Sequence, residues 1–346
     1  MSAQISASAA ERNYTKLAEV PDMSKLLRGV VKDTLPVLGT KRSATGDPQA
    51  AFEVADFTVD REHLAAYTRA TGLRYSSELP ITYPFVLSFP LFMQVMLAPD
   101  FPCRAAGMVH LTNEIEQTRP LRIDEELTLR VHAENLRPHR KGLLVDFISE
   151  ISVDGELVWR QTSAFLGMGA KFSAQTPNEV RTRGEDSGSL LERLDVADET
   201  ATVNWKVDRD TIDDYAEASG DKNPLHVSKI GAKAFGFPAP IAHGMWTAAK
   251  MVAGLEGELP GALRYTVEFQ KPVILPARIA YYTFRGEGSQ PGAQADAQAG
   301  NATAPAIDTT ATKAPATNTP ATWNAQVTKG SDPKKVHAVG KFEALS

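Results

Sequence analysis

Two kinds of apolar rhythm alternate along this chain, and the pair occurs twice. From Ile81 to Pro99 no charged residue interrupts, and residues 85–97 predict a helix apolar on every side and therefore buried. Pro84, Pro90 and Gln94, and the isolation of the stretch in an otherwise polar chain, argue against a membrane span. Further on, Met245, Ala248, Ala249, Val252 and Leu255 keep helical spacing and predict a second such helix over 244–255. Each helix is followed by β-prone sequence. In the first case the candidate strands are 126–133, 143–153 and 157–166, the last two joined at Asp154-Gly155, a strong hairpin signal. In the second they are 278–284, 323–328 and 336–342, the last two joined through Gly330-Ser331-Asp332-Pro333.

The parallel extends to single residues, which makes it an internal repeat. Val59-Asp60-Arg61 precedes Tyr67, Ala70 and Gly72 at the spacing with which Val207-Asp208-Arg209 precedes Tyr215, Ala218 and Gly220. Glu116 through Arg119-Pro120 matches Glu268 through Lys271-Pro272. Each copy thus reads as a short helix, an apolar central helix and several antiparallel strands, an α+β unit. Two such units in one chain can join their sheets as a symmetric dimer would. The match breaks at 286–322, where Ala, Thr, Pro, Gln and Gly prevail. Ile307 is the only large apolar side chain there, too little to offset the entropy of ordering, so a disordered insertion is expected.

Composition narrows the partners. With 346 residues, 42% hydrophobic, 23% charged and a net charge of −5, the chain suits two ordinary domains and lacks a cationic run for nucleic acid. Cys103 is the single cysteine and reads as an ordinary residue, consistent with a reducing compartment. The small, polar first residues lack the apolar core of a signal peptide. A cytoplasmic location is expected.

The copies part where chemistry would sit. After Gly220 the second continues Asp221-Lys222-Asn223-Pro224-Leu225-His226; after Gly72 the first continues Leu73-Arg74-Tyr75-Ser76-Ser77, without acid or imidazole. Gly220 permits a tight turn and Pro224 stops a helix, which predicts a loop on which a carboxylate and an imidazole converge on one water or one substrate proton. Asn223 can brace that loop. The same residue types also make plain turns. A second element, Ile241-Ala242-His243-Gly244-Met245, opens the second apolar helix. Gly244 there can offer its backbone N–H to a developing oxyanion. The plain alternatives are close packing for Gly244 and a core position for His243, and His243 is read as structural.

The run Tyr215, Ala218 and Ser219 to His226, with His243-Gly244 downstream, resembles the signature of the MaoC-like hydratases, or hydratase-2 enzymes. The resemblance implies a double hot-dog fold, each unit a long helix wrapped by a curved antiparallel sheet. Residues 1–173 would form a catalytically empty unit with flexible first residues, 174–198 a linker, and 199–346 the catalytic unit. Phe89-Pro90-Leu91, Phe101-Pro102 and Gly107-Met108-Val109-His110 add to the likeness with two-repeat members whose first repeat is empty. The implied reaction is hydration of trans-2-enoyl thioesters, reversibly with dehydration of (R)-3-hydroxyacyl thioesters, in fatty-acid metabolism. Asp221 and His226 would activate the water, Gly244 would form the oxyanion hole, and Asn223, Gly220 and His243 would support them.

No metal and no cofactor is implied; His63, His110, His132, His139 and His337 are scattered without ligand spacing. The substrate would hang on coenzyme A or on acyl carrier protein through phosphopantetheine, and the chain would stand alone or pair as a homodimer. Lys222, Lys229, Lys233 and Lys271 are candidate contacts to an acidic carrier or simply solvated charges. Tyr83, Phe85, Phe89 and Phe92 read first as core packing and otherwise as a tunnel for the acyl chain. Two rival readings stay open: a hot-dog acyl thioesterase, and a non-catalytic protein that binds acyl thioesters.

Overall fold

The structure, a computed structural model, describes residues 12–34, 42–105, 107–184, 189–286 and 321–345, without the side chains of 31–34. The first residues and nearly all of the composition-biased insertion fall outside the described residues.

The first repeat runs β1 (Thr15–Leu17), α1 (Met23–Thr34), β2 (Ala51–Phe57), α2 (Arg61–Thr71), the central helix α3 (Tyr83–Leu97), β3 (Met108–Gln117), β4 (Leu127–His139), β5 (Gly142–Val153) and β6 (Glu156–Met168). A one-turn helix α4 (Asn178–Arg181) leads into the second repeat: β7 (Val203–Val207), α5 (Arg209–Ser219), α6 (Pro224–Val227), α7 (Lys229–Ala234), the central helix α8 (Gly244–Ala253), β8 (Leu263–Phe269), β9 (Ala277–Arg285), β10 (Thr322–Lys329) and β11 (Asp332–Ala344).

Repeated residues explain repeated ends. Asp60 caps α2 by accepting from the Glu62 amide at 2.8 Å, and Asp208 caps α5 by accepting from the Thr211 amide at 3.2 Å. Gly72 and Gly220 close the two helices at φ of 74° and 72°, a left-handed backbone that a β-carbon would strain. Asp154 and Gly155 both take positive φ, 50° and 82°, and make the expected tight hairpin. The six expected strands match their positions and run somewhat longer. Helix α3 starts two residues early at Tyr83, with Pro84 in its first turn, where no amide partner is needed. The strands β1, β2, β3, β7 and β8 were not foreseen; β2 and β7, ahead of the short helices, are at seven and five residues too brief to show a clear alternation.

All strands join one eleven-stranded sheet in the order β1-β2-β4-β5-β6-β3-β8-β11-β10-β9-β7. Leaving out β1, the order reads the same from either end once repeat-equivalent strands are exchanged. The seam is β3 against β8, antiparallel, with Thr112 opposite Glu268, Glu116 opposite Arg264 and Glu114 opposite Thr266. Because Glu116 and Glu268 are repeat-equivalent, a local two-fold passes between Glu114 and Thr266. At that point the Thr266 hydroxyl donates to the Glu114 carboxylate at 3.3 Å. This is the expected double hot-dog.

Helix α3 packs on β2, β4 and β5, α8 packs on β11, and α2 lies on α5, with the Tyr67 and Tyr215 rings 6.1 Å apart. One apolar core runs through both repeats. The segment after β6 is fastened to both: Arg183 pairs with Asp47 at 2.6 Å, and the Leu194 amide donates to Gln326 at 2.9 Å. Where the insertion leaves the second sheet, its ends are tied, with the Gly286 amide on the Thr322 carbonyl at 2.9 Å. Among the described residues no helix is long and apolar enough to cross a membrane.

The central helix of the second repeat is also bonded to the first. Trp246, buried on α8, donates its indole N–H to the Ala70 carbonyl at 3.0 Å. That carbonyl lies in the last turn of α2 and lacks a helical partner. Trp246→Phe keeps most of the packing and strands the carbonyl. It is expected to cost about 1–3 kcal/mol, read as a lower urea midpoint at unchanged slope.

Candidate active site

The loop after α5 is built by short side chains bonding their own backbone. The Asp221 amide donates to Ser219 Oγ at 3.2 Å, Asp221 Oδ1 accepts from the Asn223 amide at 3.2 Å, and Asn223 Oδ1 accepts from the Leu225 amide at 3.1 Å. The expectation of a loop throughout needs correction, because Pro224 begins the one-turn helix α6 and His226 stands on it. Proline is suited to a first helical position, where its missing N–H costs nothing, and Asn223 caps the turn. The Arg209 guanidinium donates to the Val227 carbonyl at the far end of α6. Helix α7, which the sequence reading missed, braces α6 from outside: a β-carbon on Gly231 would lie 2.5 Å from the Pro224 carbonyl oxygen, so only glycine allows this approach.

Every predicted site residue of the second repeat is brought together, and the run 241–244 does the gathering. His226 Nδ1 sits 2.8 Å from the Ile241 carbonyl. A carbonyl can only accept, so Nδ1 carries the proton and Nε2 is left with its lone pair. His243 Nε2 lies 2.9 Å from the Asp221 carbonyl and donates to it. Burial drops the His243 imidazole to about 3, helped by neighbouring His226 and opposed by Asp221. It is therefore neutral, and its part is to tie the Asp221 loop to the start of α8, as the structural reading expected. The His226 and His243 rings stack 3.8 Å apart at 27°. Donor atoms of Asp221, His226 and His243 fall within 4.8 Å of one another. That spacing alone would admit a small cation; the hydrogen bonds spend one nitrogen of each ring on a carbonyl.

Gly244 is the first residue of α8, and among the described residues no acceptor meets its amide. Its α-carbon packs under Phe269, whose ring lies 3.2 Å from where a β-carbon would be. Close packing and an open N–H, offered by the sequence as alternatives, are both present. Gly220 ends α5 and turns the chain toward the site.

In the first repeat Thr82 holds the position before the helix that His243 holds in the second, and Tyr67 donates to its hydroxyl at 2.9 Å. Tyr83 then stands where Gly244 stands. Its amide donates to the Pro80 carbonyl at 2.8 Å, so no open amide is offered here, and its hydroxyl is 2.7 Å from His63 Nδ1. Tyr83, Phe85, Phe89 and Phe92 are all buried; Phe85 packs on Phe89 and Phe92, Phe92 packs on Phe147, and Tyr83 packs on Tyr67. A cavity of about 480 Å³ lies beside α3, between Met23, Leu27, Phe57, Val86, Leu87, Ser219, Gly220 and Lys222. Lys222 pairs with Glu217 at 2.7 Å on the surface.

One residue classed as scattered belongs beside the site. His110, on β3 of the first repeat, stacks on Phe165 at 4.3 Å and meets the edge of Phe269 at 5.1 Å. Burial drops its imidazole to about 3, against the opposing pull of the Thr112 backbone and the Asp221 charge. Sequence spacing held no sign of this, because the β3–β8 seam brings His110 across.

The MaoC like domain family matches residues 195–304. The chain is 40% identical over 243 residues to 3-hydroxyacyl-thioester dehydratase X of Mycobacterium tuberculosis, covering 70% of this chain and 82% of that protein. It is 33% identical over 78 residues to a 3-hydroxybutyryl-CoA dehydratase of Methylorubrum extorquens, covering 21% of this chain and 50% of that one. The crystal structure of HtdX from M. tuberculosis superposes with a TM-score of 0.63 at 32% identity, over 85% of this chain and 100% of that one. A MaoC-like dehydratase from Phytophthora capsici shares the fold at 17% identity and a TM-score of 0.59, over 87% of this chain and 96% of that one.

Acid should loosen this arrangement through its buried histidines. When the chain unfolds, His110 and His243 return to 6.5 and take up protons below it, whereas folded they refuse them down to about 3. The unfolded state then binds more protons, so stability is full above 6.5 and falls as pH drops through that window. Each histidine contributes a slope of at most about 1.4 kcal/mol per pH unit. Urea unfolding at successive pH values should show this slope, and His243→Gln should reduce it by up to about 1.4 kcal/mol per pH unit while the His110 share remains.

Proposed function

The chain belongs to the MaoC-like dehydratases, and from that premise we propose that Asp221, His226 and Gly244 carry out reversible hydration of 2-enoyl thioesters and dehydration of 3-hydroxyacyl thioesters. The enzyme is a hydro-lyase. The observation that carries the assignment of roles is the His226 Nδ1 bond to the Ile241 carbonyl, which leaves Nε2 outside that bond while donor atoms of Asp221 and His226 stay within 4.8 Å of each other.

In hydration, the water oxygen bonds to Cβ as one of its protons passes to the Asp221–His226 pair. The π electrons move toward the thioester oxygen, which lies against the Gly244 amide, and the pair returns a proton to Cα. Dehydration runs the same steps backward: the pair removes the Cα proton, and the hydroxyl leaves protonated as water. The helix dipole of α8 adds to the stabilisation of the enolate at its N-terminus. The hydroxyl configuration is (R), and the thioester hangs on phosphopantetheine, of coenzyme A or of a carrier protein; both follow from the motif resemblance. The reaction uses neither metal nor bound cofactor and takes place in the cytoplasm. A thioesterase would need a carboxylate or water aimed at the carbonyl carbon; here the acid and imidazole sit together, as proton exchange at Cα and Cβ needs.

With crotonyl and longer enoyl thioesters, Asp221→Asn and His226→Ala should each lower kcat by about 10²-fold or more while remaining folded. Loss of enoyl absorbance without release of free thiol separates hydration from thioester cleavage. Wild-type rates in both variants would remove the assignment. Incubation with a strong chelator should leave the rate unchanged; a loss restored by a divalent ion would instead assign the acid–histidine cluster to a metal.

A further inference from the structure

Hydration moves one hydrogen of the water and leaves the other on oxygen, where it becomes the hydroxyl proton of the product. The moving proton is handled by Asp221 and His226. The hydrogen that stays needs an acceptor that orients it and never takes it, or the oxygen lone pair is free to turn away from Cβ.

The first repeat places such an acceptor at the site. His110 Nε2 is shut off from solvent and has no hydrogen-bond partner among the described residues, although the rest of the ring is only partly buried. A buried polar atom without a partner is costly, and natural structures rarely leave one idle. The ring is held in an aromatic frame: Phe165 stacks on it at 12°, Phe269 meets its edge, and Phe85 lies 6.2 Å away. Phe269 is the same ring that covers Gly244, so His110 and the oxyanion donor share a wall. Asp221 is near enough for its charge to act on the imidazole. The rings of Phe85, Phe165 and Phe269 surround His110, the Asp221 charge and the Thr112 backbone act on it, and none of these offers Nε2 a proton.

We propose that His110 Nε2 accepts the hydrogen bond of the substrate's 3-hydroxyl, and of the water in the reverse direction, so that the first repeat supplies a substrate-contacting residue to the second. This rests on the hydration reading above. No bond to His110 forms or breaks; it fixes the rotation of the hydroxyl about the C–O axis while the proton exchange occurs elsewhere.

The test uses His110→Phe, which keeps an aromatic ring in the frame and removes the acceptor, and His110→Gln, which restores a carbonyl acceptor. For each, kcat/KM is measured in both directions, together with the inhibition constant of the saturated acyl thioester of equal length, which has no hydroxyl. His110→Phe should lower kcat/KM about tenfold or more and leave the inhibition constant within about twofold; His110→Gln should recover part of the loss. Wild-type kcat/KM in His110→Phe overturns the proposal. So does an equal loss of affinity for the saturated thioester, which marks a packing role, or a glutamine variant as slow as the phenylalanine one. A wild-type chain inactive on enoyl thioesters would overturn the hydration reading itself, a result distinct from an active wild type indifferent to position 110.

Discussion

Four consecutive residues carry the geometry of the proposed reacting site. The Ile241 carbonyl fixes the His226 ring, the His243 ring holds the Asp221 backbone, and Gly244 turns its amide outward as α8 begins. The run is anchored in turn by the Ala242 amide on Val273 at 2.9 Å and the Leu275 amide on Pro240 at 2.9 Å. An acid, a base and an oxyanion donor on three separate elements would drift by fractions of an ångström as those elements move. Hydrogen bonding all of them to one segment removes that freedom.

The symmetry of the sheet and the asymmetry of its ends have different physical origins. Capping aspartates, closing glycines and the seam serve folding, and folding makes the same demand on each half. Neither repeat is closed alone: α8 reaches into the first for the Ala70 carbonyl, and the β3–β8 seam completes the sheet for both. The reacting groups carry no such demand. Tyr83 with His63 can therefore fill the position that Gly244 leaves open, and the first half keeps its shape while contributing apolar wall.

What the sequence disclosed follows from range. Spacing within one element or one turn was legible: the caps Asp60 and Asp208, the glycines that end α2 and α5, the Asp154-Gly155 hairpin, and the sequence proximity of Asp221 to His226. Gly244 was legible because a helix start advertises its free amides. What lay beyond range was pairing across the fold. Nothing local links His110 to Phe269 or to the Asp221 charge, since they meet only once β3 lies beside β8. Pro224 misled for a related reason: proline forbids a helix interior and suits a helix start, and only the neighbouring Asn223 cap decides between them. Helix α7 has too few apolar positions to show a period, and its value rests on Gly231, whose need for smallness is visible only against Pro224.

The tie between Gly286 and Thr322 bears on how this lineage can vary. The hairpin partners Arg285 and Trp323 stand in register just inside that bond, so the strands are zipped up to the point where the chain departs. Ring-closure entropy rises only with the logarithm of the excursion, about 0.6 kcal/mol for each doubling. Lengthening, trimming or replacing the intervening stretch should therefore be nearly free for the sheet. Grafted tags, reporters or whole modules would find a tolerant berth here, and descendants of this protein can be expected to differ more in this stretch than anywhere in the framework.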